Sequence, residues 1–108
     1  MKKQVEVWEY ANQITKAIDK GVLLTTCADN QVNTMTIGWG FLGVVWSKPV
    51  FVALVRESRY TKTLLEKSGE FTVNIPLGQA DKNIIAVCGT KSGRDMDKIK
   101  ELNLTLEP

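Results

Sequence analysis

The chain has no histidine, two cysteines and three prolines in 108 residues. Without His it has no zinc site of the usual Cys/His kinds, no Ser-His-Asp arrangement and no Cys-His nucleophile pair. Cys27 and Cys88 stand 61 positions apart with no Cys-x-x-Cys partner. Both read as free, buried thiols of a reducing compartment. No apolar run approaches the roughly 18 residues that a spanning helix needs. Lys2 and Lys3 are not followed by the apolar stretch of a secretory signal. A cytoplasmic protein without a membrane partner is the expectation. A net charge of +2 is too small to argue for nucleic acid as a partner. Repeats, low-complexity stretches and linkers are absent too, so residues 1–108 read as a single domain. No metal-ligand set and no catalytic side chain stand out, so any chemistry is expected to come from a cofactor.

What is present is a balanced chain, 44% hydrophobic and 24% charged, which places it with globular rather than disordered sequences. Residues 7–19 put Trp8, Ala11, Ile14 and Ile18 at helical spacing, with Gly21 where a C-terminal cap belongs. Residues 22–27 and 32–39 read as two strands of a hairpin about the turn 29–31. In the second strand Met35, Ile37 and Trp39 share one face, and Thr34, Thr36 and Gly38 the other. That second face is small and polar. It leaves room for a flat ligand, or it simply faces solvent. Glycines 38, 40 and 43 make residues 39–48 read as a loop carrying aromatics. Residues 50–55 are a run of buried-strand type, and Lys62 opens a short helix that closes at Gly69. A strand follows at 71–75, stopped by Pro76. Asp81 caps a helix whose inner stripe is Ile84, Ile85 and Cys88, with Gly89 after it. A polar turn at 92–95, a last helix burying Met96, Ile99 and Leu102, and a strand start at 104–106 complete the pass. Four or five strands with short helices give an α+β class and a barrel-like, mainly antiparallel sheet that reads as incomplete. An incomplete barrel leaves an edge that calls for a partner chain.

The organising stretch is residues 49–61. A strand that runs into Arg56-Glu57-Ser58-Arg59-Tyr60-Thr61 and then a helix places forked cationic donors beside unpaired helix N–H groups, which suits a phosphate. The same residues also suit a solvated turn in which the arginines pair with Glu57 or Glu66.

Five motifs taken in order resemble the flavin reductase-like family, the FMN-binding split barrels that include flavoredoxins. They are Asn33-Thr34-Met35-Thr36 with Trp39, Trp46-Ser47-Lys48-Pro49, the 56–61 stretch, Glu70-Phe71-Thr72-Val73-Asn74, and Ser92-Gly93-Arg94-Asp95-Met96-Asp97-Lys98. The resemblance runs from about Gly21 to Leu104, and members of the family usually continue well past the position of Pro108. It implies a homodimer of split β-barrels that binds FMN non-covalently and takes electrons from NAD(P)H, as an oxidoreductase or a flavin electron carrier. By position, Arg56, Ser58, Arg59 and Thr61 would hold the phosphate, with Tyr60 in the same cofactor-binding stretch. Asn33, Thr34, Met35, Thr36 and Ile37 would line the flavin ring, and Ser92, Gly93 and Lys98 would lie close to it. The residues alone, with Lys91, Arg94 and Lys100 nearby, favour a solvated basic face for Lys98 over ligand contact. The alternative is a dimerising module of the same fold that has lost the flavin. A single-strand nucleic-acid binder using its Trp residues is a third reading, disfavoured by the low charge.

Overall fold

The computed structural model describes residues 3–77 and 81–106. A 3₁₀ turn, Val7–Glu9, precedes helix α1, Ala11–Lys20. Strands β1 (Val22–Ala28) and β2 (Gln31–Ile37) follow, then β3 (Gly40–Val45) and β4 (Lys48–Ala53). Helix α2 (Tyr60–Ser68) leads to β5 (Thr72–Asn74), and α3 (Lys82–Thr90) and α4 (Lys98–Glu101) come last. All strand pairings are antiparallel. They form one sheet in the order β2-β1-β5 and a separate β3-β4 hairpin, so the strands do not close a barrel. The α+β class and antiparallel strands match the expectation.

Pairing of Val22 with Ile37 and of Leu24 with Met35 puts four buried side chains on one face of the β1-β2 hairpin. Phe51, Ala53 and Val55 pack onto them from the β4 side, as does Leu65 from α2. Burying a Leu24-sized side chain contributes about 1.5–3 kcal/mol, so this cluster is what holds the two sheets together. The opposite face carries Thr25 and Thr34, whose hydroxyls bond across the strands at 3.0 Å. That face is covered too. Thr36 Oγ1 donates to the Ile85 carbonyl of α3 at 2.6 Å, and Thr34 is 1% exposed. The Thr face is therefore covered at Thr34 and opens only at its end, at half-buried Thr36 and exposed Gly38.

Several local expectations change. Residues 40–45 form a strand, not a loop, and the hairpin turns on Trp46 and Ser47, both with positive φ (54° and 61°). The β4 strand is half-buried, with Val52 exposed, because only one face meets the core. Trp8 is exposed in the 3₁₀ turn and takes no part in an inner stripe of α1. Gly89 lies inside α3, which ends at Thr90 with Lys91 as its C-cap. Residues 104–106 are not a strand, and around the last helix Met96, Ile99 and Leu102 are half-buried as expected, but Lys98 is buried more completely than any of them. Cys88 is buried as expected and Cys27 is exposed, and both are free.

Candidate functional site

The site grows from the end of β4. The Leu54 N–H donates to the Trp39 carbonyl at 3.0 Å, which extends the hairpin by one pair and fixes Trp39 beside the outgoing chain. The Arg56 guanidinium then lies over the Trp39 ring, 4.4 Å from its centre. Such a stack holds the charge in place without neutralising it. A turn closed by Arg59 N–H on the Arg56 carbonyl (3.1 Å) delivers the chain to α2. Arg59 occupies the N-cap position in extended conformation, and no side chain caps the helix there. The first N–H groups of α2 thus lack a side-chain acceptor, the usual condition for anion binding at a helix start.

Arg59 itself turns toward the end of α3. It donates to the carbonyls of Cys88 (2.8 Å) and Gly89 (3.2 Å). Lys98 Nζ reaches the same Cys88 carbonyl at 3.2 Å and the Thr34 carbonyl at 3.0 Å. Two cations therefore close the negative end of the α3 dipole. Burial, then the neighbouring Arg56, lowers the pKa of Arg59. Burial lowers that of Lys98 against the opposing pull of the Cys88 thiol, and burial raises Cys88 against the two cations.

Between these elements lies a cleft of about 180 Å³. Its walls are Met35, Thr36, Ile37, Gly38 and Trp39 on one side and Leu54, Arg56, Arg59 and Gly89 on the other. No carboxylate lines it. Among the described residues neither arginine pairs with an acid; Glu66 instead pairs with Lys62 on α2. Gly89 makes room, since a Cβ there would stand 3.4 Å from that of Thr36.

Five of the site residues expected from sequence meet at this cleft: Met35, Thr36, Ile37, Arg56 and Arg59. The rest stand behind it. Asn33 donates through Nδ2 to Thr61 Oγ1 at 2.8 Å, both buried, tying β2 to α2. Thr34 and Lys98 are interior and joined to each other. Ser58 is exposed, and its carbonyl accepts from Arg94 at 3.3 Å. Tyr60 donates its hydroxyl to Gln31 at 2.7 Å and stacks under Arg94. Ser92 Oγ accepts the Arg94 N–H at 3.1 Å, and a Cβ on Gly93 would meet Tyr60 Cδ2 at 2.7 Å. The 92–98 motif thus buttresses the 56–61 loop. Lys98 is neither solvated nor at the cleft wall. Leu54 and Gly89 were not foreseen as site residues: Leu54 read as part of a buried strand and Gly89 as a helix stop.

The described residues contain no group of His, Cys, Asp or Glu able to hold a metal ion. They contain no helix long and apolar enough to cross a membrane.

Comparison with known proteins places the fold. The chain is 34% identical over 74 residues to an uncharacterised protein of Archaeoglobus fulgidus, a match that spans 68% of this chain and 41% of that one. It superposes, with a TM-score of 0.64 and 21% identity, on the crystal structure of an FMN-binding domain of a flavin reductases-like enzyme from Shewanella baltica. That superposition covers 95% of this chain and 51% of the other. The chain thus spans about half the length, or less, of the proteins it matches. The sequence model of the flavin reductase like domain matches residues 16–108, and this chain belongs to that family.

Proposed function

We propose that the chain binds FMN and serves as an NAD(P)H-dependent flavin oxidoreductase or flavin electron carrier, acting as a homodimer in the cytoplasm. The observation that carries this reading is the cleft itself. Two arginines, neither paired with an acid among the described residues, line a space in which the described residues place no carboxylate, and the second of them is the N-cap residue of α2. A dianionic phosphate there would gain charge-assisted bonds of about 1.5–3 kcal/mol each. The residues present fit the phosphate end of FMN: Arg56 and Arg59 would hold it, and the β2 backbone at 35–37 would border the ring. Bound flavin supplies hydride acceptance and needs no protein acid or base for it.

At about 180 Å³ the cleft is smaller than the roughly 300–1,000 Å³ of ordinary ligand sites. The β3-β4 hairpin beside it exposes Trp39, Phe41, Val52 and Leu54. A second copy seated on that face would wall the ring and cover the apolar surface together. One observation favours the flavin-free module as a second reading: two donors of Arg59 already serve α3 carbonyls.

Titration with FMN, followed by flavin fluorescence, decides between them. Saturable binding that weakens at least tenfold in Arg56→Gln supports the flavin reading. No change at high micromolar FMN, with a stable dimer by sedimentation, overturns it in favour of the module.

A further inference from the structure

A cleft of about 830 Å³ lies between α1, the start of α3 and residues 76–77, separated from the arginine cleft by the contact of Thr36 with Ile85. Its surface is mainly apolar, built from Ala17, Leu77, Ile85 and neighbouring atoms, and three lysines stand at its rim. Lys16 and Lys20 are four residues apart on one side of α1, and Lys82 is the first residue of α3. A cation at that position meets the positive end of the helix dipole, an arrangement that disfavours it unless an anion is near.

The acid at the helix start, Asp81, offsets the dipole from its place at the N-cap, outside the cleft. Asp81 accepts the N–H groups of Asn83 (2.9 Å) and Ile84 (3.3 Å) as the cap of α3. It does not line the cleft, and no other acidic residue among the described residues does. Among the described residues the ion pairs are Lys62–Glu66 and Lys67–Asp29, and neither uses the three lysines. The floor is set by Gly21, at φ +109°. A Cβ there would meet Thr36 Cγ2 at 2.8 Å and Ile85 Cγ2 at 2.9 Å, so its absence lets α1, β2 and α3 meet beneath the cleft.

We propose that this cleft is a second binding site, for a small amphipathic anion: an apolar body against Ala17, Leu77 and Ile85 with its anionic head among Lys16, Lys20 and Lys82. Apolar walls with a few convergent groups of one sign are the general character of small-molecule sites, and the volume falls in their range. The site stands independently of the flavin reading, since it shares no lining residue with the arginine cleft.

Decanoate is the probe, with decanol as the uncharged control and acetate as the anion without an apolar body. Amide resonances of the full chain report where each binds. Decanoate is expected to shift Ala17, Ile85 and Ala86, and to bind at least tenfold more tightly than either control. Lys16→Gln, Lys20→Gln and Lys82→Gln combined should weaken it at least tenfold, and Ala86→Glu, which adds a carboxylate to the rim, should weaken it independently. Both variants must keep the native amide spectrum, and Phe41→Ser on the distant hairpin should change nothing. Equal binding of decanol, indifference to the lysine variant, or shifts centred on the β3-β4 hairpin would overturn the proposal.

Discussion

Lys98 Nζ donates to the Thr34 carbonyl at 3.0 Å across 64 positions of sequence, and the lysine is 2% exposed. This bond, with the one to the Cys88 carbonyl, fastens the outer face of β2 to the end of α3. It makes a motif lysine part of the frame that shapes the arginine cleft.

Replacing Lys98 by Met keeps the length of the chain but removes both bonds. The loss should be about 1–3 kcal/mol, since the Thr34 carbonyl stays buried without this donor. Urea unfolding of both proteins at neutral pH measures it.

The same pair of proteins carries a pH signature. Burial lowers the Lys98 pKa in the folded state from its ordinary 10.5. Between the folded and unfolded values the unfolded chain binds the extra proton, so stability rises with pH there. Below the folded value the penalty is fully present. Wild type should therefore gain stability relative to Lys98→Met as pH climbs toward 10.5, and a flat difference would count against it. The comparison is made in a Cys88→Ala background, because the raised Cys88 pKa acts oppositely, costing stability as pH rises past 9.0, and itself responds to Lys98.

Asn33 and Thr61 form a buried side-chain pair at 2.8 Å. Thr61→Val keeps the shape and strands the Asn33 amide, at a cost of about 1–3 kcal/mol. Asn33→Ala with Thr61→Val should cost less than the sum of the two single changes. A double-mutant cycle by denaturant unfolding gives the coupling, and simple additivity would show that the bond contributes nothing.

Gly93 packs where a Cβ would come within 2.7 Å of both Asn33 Cγ and Tyr60 Cδ2. Gly93→Ala should destabilise by about 1–3 kcal/mol through overpacking. Thermal unfolding checks this, and flavin affinity should fall with it because the 56–61 loop loses its backing.

Trp46 and Ser47 adopt positive φ at the tip of the β3-β4 hairpin, and Trp46 is 91% exposed. Asn-Gly suits that turn far better. Trp46→Asn with Ser47→Gly should raise stability by about 1–2 kcal/mol, since a left-handed residue other than Gly or Asn costs about that much. A fall in stability would instead mark Trp46 as part of an interface.

Most helices and the first hairpin were legible because their signals are local. Asp81 caps α3 with two backbone bonds, and Gly69 ends α2 in the left-handed conformation, as their residue types suggest. The β3 strand was not legible. Gly40 and Gly43 have low strand propensity, yet a Cβ on Gly40 would come within 2.9 Å of the Val52 carbonyl, so the pairing with β4 itself requires glycine there. The family and the cationic character of residues 56–61 could also be read from the sequence, because a motif keeps its order and charge in any fold.

What sequence could not settle was the direction in which each motif side chain points. Alternation along β2 separates two faces correctly, but whether the Thr face meets solvent, ligand or protein depends on what packs there. Helices α3 and α4 cover it, through bonds from Thr36 to Ile85 and from Lys98 to Thr34. Order, charge and periodicity therefore belong to the sequence alone. The inward turn of Lys98, the hold of Arg59 on α3 and the small arginine cleft arise only in the tertiary structure, because each depends on contacts between residues far apart in the chain.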